Sequence, residues 1–181
     1  MNKLVFCGPS GAGKGTLIAR LLAENPERFQ TSISHTTRAP RPGEVDGISY
    51  HFVTNEAFLA MGDAFTDPIE LYGNRYGTLR EHPAGGKKVI YERDSRGVVV
   101  MSELPGVLVV YVKPPSLTVL EQRLRARGTE TDAQITDRLA TAATEMAYLD
   151  TSPLVNITLC NDYLENAYTE LTLKMNDYIS A

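Results

Sequence analysis

A chain of 181 residues is the size of one domain with room for an inserted lobe or two. Its 43% hydrophobic and 22% charged content is that of an ordinary globular protein and excludes extended disorder. Eighteen basic against twenty-two acidic residues give a net charge of -4, which argues against a nucleic-acid coat or a binder of anionic membranes.

Lys3 to Cys7 is an apolar run of strand length ending in a Gly-Pro-Ser-Gly turn, after which Leu17, Ile18, Leu21 and Leu22 recur at helical spacing. Residues 33 to 82 are polar, aromatic and turn-rich, with Pro40, Pro42, Gly43, Gly47, Gly73 and Gly77, and read as an inserted lobe with small strands. Val89-Ile90-Tyr91, Val98 to Met101, Val107 to Val112 and Val155 to Leu159 are β-rich runs of strand length. Helical patterns run from Leu117 to Ala126, Asp132 to Leu149 and Tyr163 to Ile179. Continuous apolar strands separated by helices predict an α/β protein with a parallel sheet covered on both faces. Arg123, Arg125, Arg127 and Arg138 surround Gly128 and mark a basic helical flap. A parallel core with two insertions predicts a site that closes over its ligands. The expected organisation is one domain over 1–181, with a core of 1–32, 83–116 and 139–181, a lobe of 33–82 and a lid of 117–138.

Cys7 and Cys160 lie far apart, make neither a metal spacing nor a disulfide framework, and read as small packing residues in a reducing compartment. No run approaches the ~18 apolar residues of a membrane span. The start runs straight into a strand pattern without a secretory leader, and Asn2 fails the myristoylation pattern, so a cytoplasmic location is expected. His35, His51 and His82 have no ligand spacing.

The strongest local signal is Gly8-Pro9-Ser10-Gly11-Ala12-Gly13-Lys14-Gly15-Thr16, placed between a strand and a helix as a phosphate-binding loop requires. Glycines let the backbone wrap a phosphate with its N–H groups pointing inward, and the helix N-terminus adds partial positive charge. Lys14 then reaches the β and γ oxygens. Gly15 stands where Ser or Thr usually offers a hydroxyl to Mg²⁺, so either Thr16 or water completes the metal shell. The Gly-Lys-Gly-Thr ending is similar to that of adenylate kinases.

Ser34-His35-Thr36-Thr37-Arg38-Ala39-Pro40-Arg41-Pro42-Gly43-Glu44-Val45-Asp46-Gly47, followed by Tyr50, closely resembles the monophosphate-binding lobe of guanylate kinases. Gly73-Asn74-Arg75-Tyr76-Gly77-Thr78, Arg127-Gly128-Thr129-Glu130-Thr131 and Asn161-Asp162 resemble later segments of the same family, in the family's order. Guanidinium forks give directional contacts to a dianionic phosphate and phenols add neutral donors. By resemblance, Arg38, Arg41, Tyr50 and Tyr76 hold the acceptor's phosphate. Guanine offers N–H donors on one edge and acceptors on another, which suit a carboxylate and hydroxyls respectively. The family carries a Glu two residues after a Phe, upstream of its Gly-Asn-x-Tyr. Counting from Phe65 and from Tyr76 puts Asp67 there, followed by Pro68 where the family commonly has Trp. Glu70 takes that role if the local turn differs. Ser34 and Thr78 match the hydroxyl positions.

The family's Asp-x-Asp becomes Glu92-Arg93-Asp94, expected near the acceptor phosphate or metal and near the guanine respectively. An ordinary acidic turn at a strand end would give the same residues. The resemblance further implies lid arginines at Arg127 and Arg138 that clamp the transferring phosphates, with Arg123 and Asn161 on the ATP side; Arg125 has no counterpart. The implied fold is a P-loop parallel core with a monophosphate-binding lobe and a lid. The implied reaction is transfer from ATP to GMP, with dGMP a second acceptor and Mg²⁺ the cofactor. The implied assembly is a monomer or weak homodimer, engaging neither nucleic acid nor membrane. Two alternatives share the pattern: a guanylate-kinase-like scaffold that binds a protein partner, and a kinase of this fold for another monophosphate.

Overall fold

The computed structural model describes residues 2–66, 68–79 and 85–179. Two compact units divide the chain, one made of Met1–Gln30 with Lys87–Ala181 and one of Thr31–Gly86.

The first unit is built on a five-stranded sheet of order β2-β7-β1-β8-β9. Its strands are β1 (Lys3–Cys7), β2 (Phe29–Thr31), β7 (Lys88–Arg93), β8 (Val107–Lys113) and β9 (Ile157–Cys160). β1 runs parallel to both β7 and β8, and β8 parallel to β9. Leu4 to Cys7 are all buried, as are Leu108 to Val112, because helices cover both faces of a parallel sheet. Leu17, Ile18 and Leu21 of α1 (Lys14–Glu24) pack with Leu4, Phe6, Val110 and Leu159, and with Leu171 and Met175 of α6 (Leu164–Ile179), in one core. A second cluster of Leu120, Leu124, Ile135 and Ala142 joins α4 (Leu117–Arg127) to α5 (Asp132–Leu149). Thr131 and Gln134 close a capping box at the start of α5, satisfying two backbone donors reciprocally. Among the described residues, no helix is long and apolar enough to cross a membrane.

One predicted strand is a helix. Val98 to Met101 lie within α3 (Ser95–Ser102), capped by the Asp94 carboxylate on the Gly97 N–H. Val98 and Met101 are buried while Val99 and Val100 are exposed, a three-residue period that β-propensity alone conceals. Position 97 must also be small: a Cβ on Gly97 would lie 2.7 Å from Arg93 Cδ.

The second unit carries β3 (His35–Thr36), β4 (His51–Phe52), β5 (Ile69–Leu71) and β6 (Asn74–Gly77) in the order β4-β3-β6-β5. β3 pairs parallel with β4 and antiparallel with β6, which pairs antiparallel with β5. Strands of two to four residues cannot bury much by themselves. Phe58 of α2 (Asn55–Met61) stacks on Phe65 with ring centroids 4.4 Å apart to make the local core. His35 is buried and its ring lies 4.6 Å from that of His51, so these two pack against each other; His82 lies outside the described residues.

Candidate active site

Gly8 to Gly13 join β1 to α1. Gly8 has φ 126, and a Cβ on it would overlap the Val112 carbonyl oxygen of the adjacent strand. Gly13 has φ 94, and a Cβ there would overlap the Asn161 side-chain amide. Ala12 N–H donates to Pro9 O at 3.1 Å and closes the turn between them. Asn161 is 6% exposed; its Nδ2 donates to Ala12 O at 2.8 Å, and its N–H to Lys113 O at 2.8 Å. Its amide group therefore braces the loop from behind.

Lys14, the first residue of α1, is 7% exposed. Its Nζ donates to Gly8 O at 2.6 Å and Pro9 O at 3.1 Å, and lies 3.5 Å from Glu92 Oε1. An ammonium held beside a helix N-terminus is a strong anion site. Arg138 Nη1 donates to Ser10 Oγ at 3.0 Å, and its Nη2 lies 3.7 Å from Glu130 Oε1. Arg123 Nη2 donates to Asn161 O at 2.8 Å and Asp162 O at 3.2 Å, whereas its Nη1 is buried with no hydrogen-bond partner. Arg127 is exposed in the last turn of α4, just before Gly128 closes that helix at φ 65. Lys14, Ser10, Arg123, Arg138 and Asn161 thus form one cluster around the loop.

Gly15 and Thr16 are exposed on the first turn of α1. A Cβ on Gly15 would lie 3.9 Å from Glu92 Oε2, an ordinary contact. Glu92 is exposed at the end of β7. Asp94 caps α3: Oδ1 accepts from Gly97 N–H at 2.9 Å, and Oδ2 from Arg96 Nε and Nη2 at 3.0 and 2.9 Å.

The second unit gathers a different set. Arg38 Nη2 donates to both Glu44 oxygens at 2.9 and 3.0 Å, and its Nη1 to Ala39 O at 2.6 Å. Glu44 Oε2 also accepts from Arg41 N–H at 2.7 Å. Burial works against the charged form of Glu44, yet the Arg38 and Arg41 hydrogen bonds hold its carboxyl below the usual carboxylate range. The Arg38 guanidinium lies 5.6 Å from the Tyr50 ring centroid, and Tyr50 meets Tyr76 edge-on at 6.1 Å. Ser34 Oγ and Thr78 Oγ1 share a hydrogen bond of 2.8 Å, with Thr78 2% exposed. Asp67 lies outside the described residues. Glu70 is exposed on β5 with Arg75 Nε 3.8 Å away.

The first unit thus carries a strand–glycine loop–helix element with its lysine, and the second an Arg-Tyr cluster of its own. The family model described as Guanylate kinase matches residues 1–178. The chain belongs to the guanylate kinase family. It is 46% identical over 175 residues to the guanylate kinase of Nitratidesulfovibrio vulgaris, covering 93% of this chain and 83% of that protein. It is 42% identical over 185 residues to the guanylate kinase of Homo sapiens, covering 97% and 93%. The crystal structure of guanylate kinase from Anaplasma phagocytophilum superposes with a TM-score of 0.73 at 25% identity, covering 98% of this chain and 86% of that one. The α/β parallel core is therefore that of a P-loop family, and the family is one of nucleoside monophosphate kinases.

Sequence reasoning gave no role to three carboxylates that the structure places among these groups: Glu44, Glu130 and Glu145. For Glu44 the signal was its spacing, three residues after Arg41 and six after Arg38. For Glu145 it was a charge on the apolar stripe of α5, between the buried Ala142 and Leu149. Glu130 sits between Arg127 and Arg138 in sequence, a spacing that does not by itself imply its approach to Arg138.

Proposed function

We propose that this chain transfers the γ-phosphoryl group of ATP to GMP, giving ADP and GDP, with dGMP a second acceptor. The observation that carries the reading is the complete phosphate loop, with Lys14 held beside the start of α1 and Arg138 bonded to Ser10. Phosphoryl transfer demands positioning and charge neutralisation more than covalent chemistry. Lys14, Arg127 and Arg138 neutralise the charge on the transferring group, and the backbone of Gly8 to Thr16 orients the donor phosphates. Arg123 and Asn161 support the ATP side. Arg38, Arg41, Tyr50 and Tyr76 hold the acceptor phosphate, and Ser34 and Thr78 offer hydroxyls to the guanine.

Among the described residues no group of three or more His, Cys, Asp or Glu could hold a metal by itself. Mg²⁺ keeps most of its shell as phosphate oxygens and water, so an ion carried in on ATP needs few protein ligands. Thr16, next to Gly15, and Glu92, whose Oε2 would lie 3.9 Å from a Cβ on Gly15, fit that requirement and would hold it. Such an ion adds positive charge to the donor phosphates. The enzyme acts in the cytoplasm, as a monomer or weak homodimer.

The test is ADP release measured against a panel of monophosphates. GMP and dGMP should support turnover, and AMP should be poorer by at least ~10²-fold, because a guanine site leaves the wrong base's polar edge unpaired. Lys14→Ala should lower kcat by at least ~10²-fold in a protein that still melts cooperatively. Preference for AMP would refute the acceptor assignment, and normal turnover in Lys14→Ala would refute the role of the loop.

A further inference from the structure

Glu145 is a carboxylate to which the transfer reaction assigns nothing. It is 8% exposed on α5, and its Oε1 accepts a hydrogen bond from Ser95 N–H at 2.9 Å. Ser95 is the first residue of α3, where backbone donors lack intrahelical partners. The α3 cap, Asp94, serves Gly97 instead, so Glu145 satisfies a donor of one helix from the side of another. Seven residues before Glu145, two turns along the same face of α5, stands Arg138 with its bond to Ser10 of the phosphate loop. That separation is about 10 Å along the helix axis.

α5 is therefore pinned at two heights. Its upper pin meets the phosphate loop, and its lower pin meets the turn immediately after Glu92-Arg93-Asp94. Glu92 in turn lies 3.5 Å from Lys14. We propose that Glu145 is a positioning residue for phosphoryl transfer, fixing the rotation of α5 that presents Arg138 to the loop and the end of β7 that presents Glu92 to Lys14. The proposal rests on the kinase reading above. Burial pushes the Glu145 carboxyl up, Lys14 opposes that shift and Asp94 adds to it. A group kept in so unfavourable a place, on a stripe otherwise formed by Ile135, Ala142 and Leu149, has a positional duty that an apolar residue could not perform.

The donor can be removed separately from the acceptor. Proline is tolerated at the first position of a helix, and Asp94, at φ -81 and ψ 177, has the extended backbone that a following proline requires. Ser95→Pro deletes the N–H and leaves the Asp94 cap on Gly97 intact. We would measure kcat and KM for ATP and GMP in Glu145→Ala, Ser95→Pro, their double variant and Glu145→Gln, with a thermal melt of each. Both single variants should lose about 10- to 100-fold in kcat with KM within ~3-fold, as misplaced catalytic groups do. The double variant should be no more than ~3-fold below either single, because both remove one interaction. Glu145→Gln keeps an acceptor oxygen and should recover to within ~5-fold of wild type. Losses that multiply, or wild-type kcat in either folded single variant, would overturn the proposal. Should Glu145→Ala fail to fold, Ser95→Pro and Glu145→Gln decide by themselves. A wild type that releases no ADP with GMP would sink the kinase reading, whereas an active wild type with unaffected variants sinks this inference alone.

Discussion

Arg38 meets Glu44 through Nη2 and Ala39 O through Nη1, so the protein itself fixes the plane of its guanidinium. Removing the Glu44 charge has two opposed consequences for an incoming phosphate. It lifts a repulsion, which is screened at a partly exposed site, and it frees two charge-assisted hydrogen bonds that orient Arg38. Orientation should win, since hydrogen bonds to charged groups contribute about 1.5–3 kcal/mol each. Glu44→Gln is thus expected to raise KM for GMP by about 10-fold, with kcat at saturation within ~3-fold. Steady-state kinetics with GMP varied would check it, and a lower KM would mean that repulsion dominates. The folded carboxyl is depressed below its ordinary value, so its bracing is present above that value and lost only as pH falls through the depressed one. Assays near neutral pH therefore see one ionisation state. Arg38 and Arg41 stood out in the sequence through the resemblance of the Ser34 to Gly47 segment to a monophosphate-binding lobe. Glu44 was visible as a letter of that motif, but its carboxylate contacts needed the chain's turn at Pro42-Gly43.

At the scale of elements, the second residue of α1, Gly15, has a conformation that asks for nothing special. Gly15 lacks the positive φ of Gly13, and a Cβ there would find ordinary contact distances. Gly15→Ala should stabilise the protein by about 0.4–1 kcal/mol, chiefly by reducing the freedom of the unfolded chain. Thermal unfolding followed by circular dichroism should show a midpoint higher by about 1–4 °C. Gly13→Ala should lower it, since φ 94 and the Asn161 amide both oppose a side chain. Most elements were legible: β1 and α5 run over the residues that periodicity assigns them. The run Val98 to Met101 misled, because three successive valines outweigh a helix start written only as an Asp followed three residues later by Gly. What decides for helix is tertiary: one face of α3 must bury Val98 and Met101. Glu145 escaped for a related reason, its partner being a backbone N–H fifty residues away.

For the whole molecule, a parallel sheet with helices on both faces follows from its uninterrupted apolar strands, and the sheet order β2-β7-β1-β8-β9 puts β1 in the middle. That order was not readable from periodicity, since it depends on which strand each crossover returns beside. The central position of β1 separates the chain's two thiols completely. Cys7 is 0% exposed in β1, and burial, opposed by the charge of Lys14, pushes its thiol up to about 12. Cys160 is exposed at the end of β9. A thiol-specific reagent at neutral pH should therefore label one cysteine of the native protein quickly and the second only after denaturation, because the thiolate is the reactive form. Rapid labelling of both would contradict the burial of β1. Cys7 cannot be reached without parting β1 from β7 or β8, so its slow modification, read by mass spectrometry in cells or in lysate, becomes a built-in clock for global unfolding.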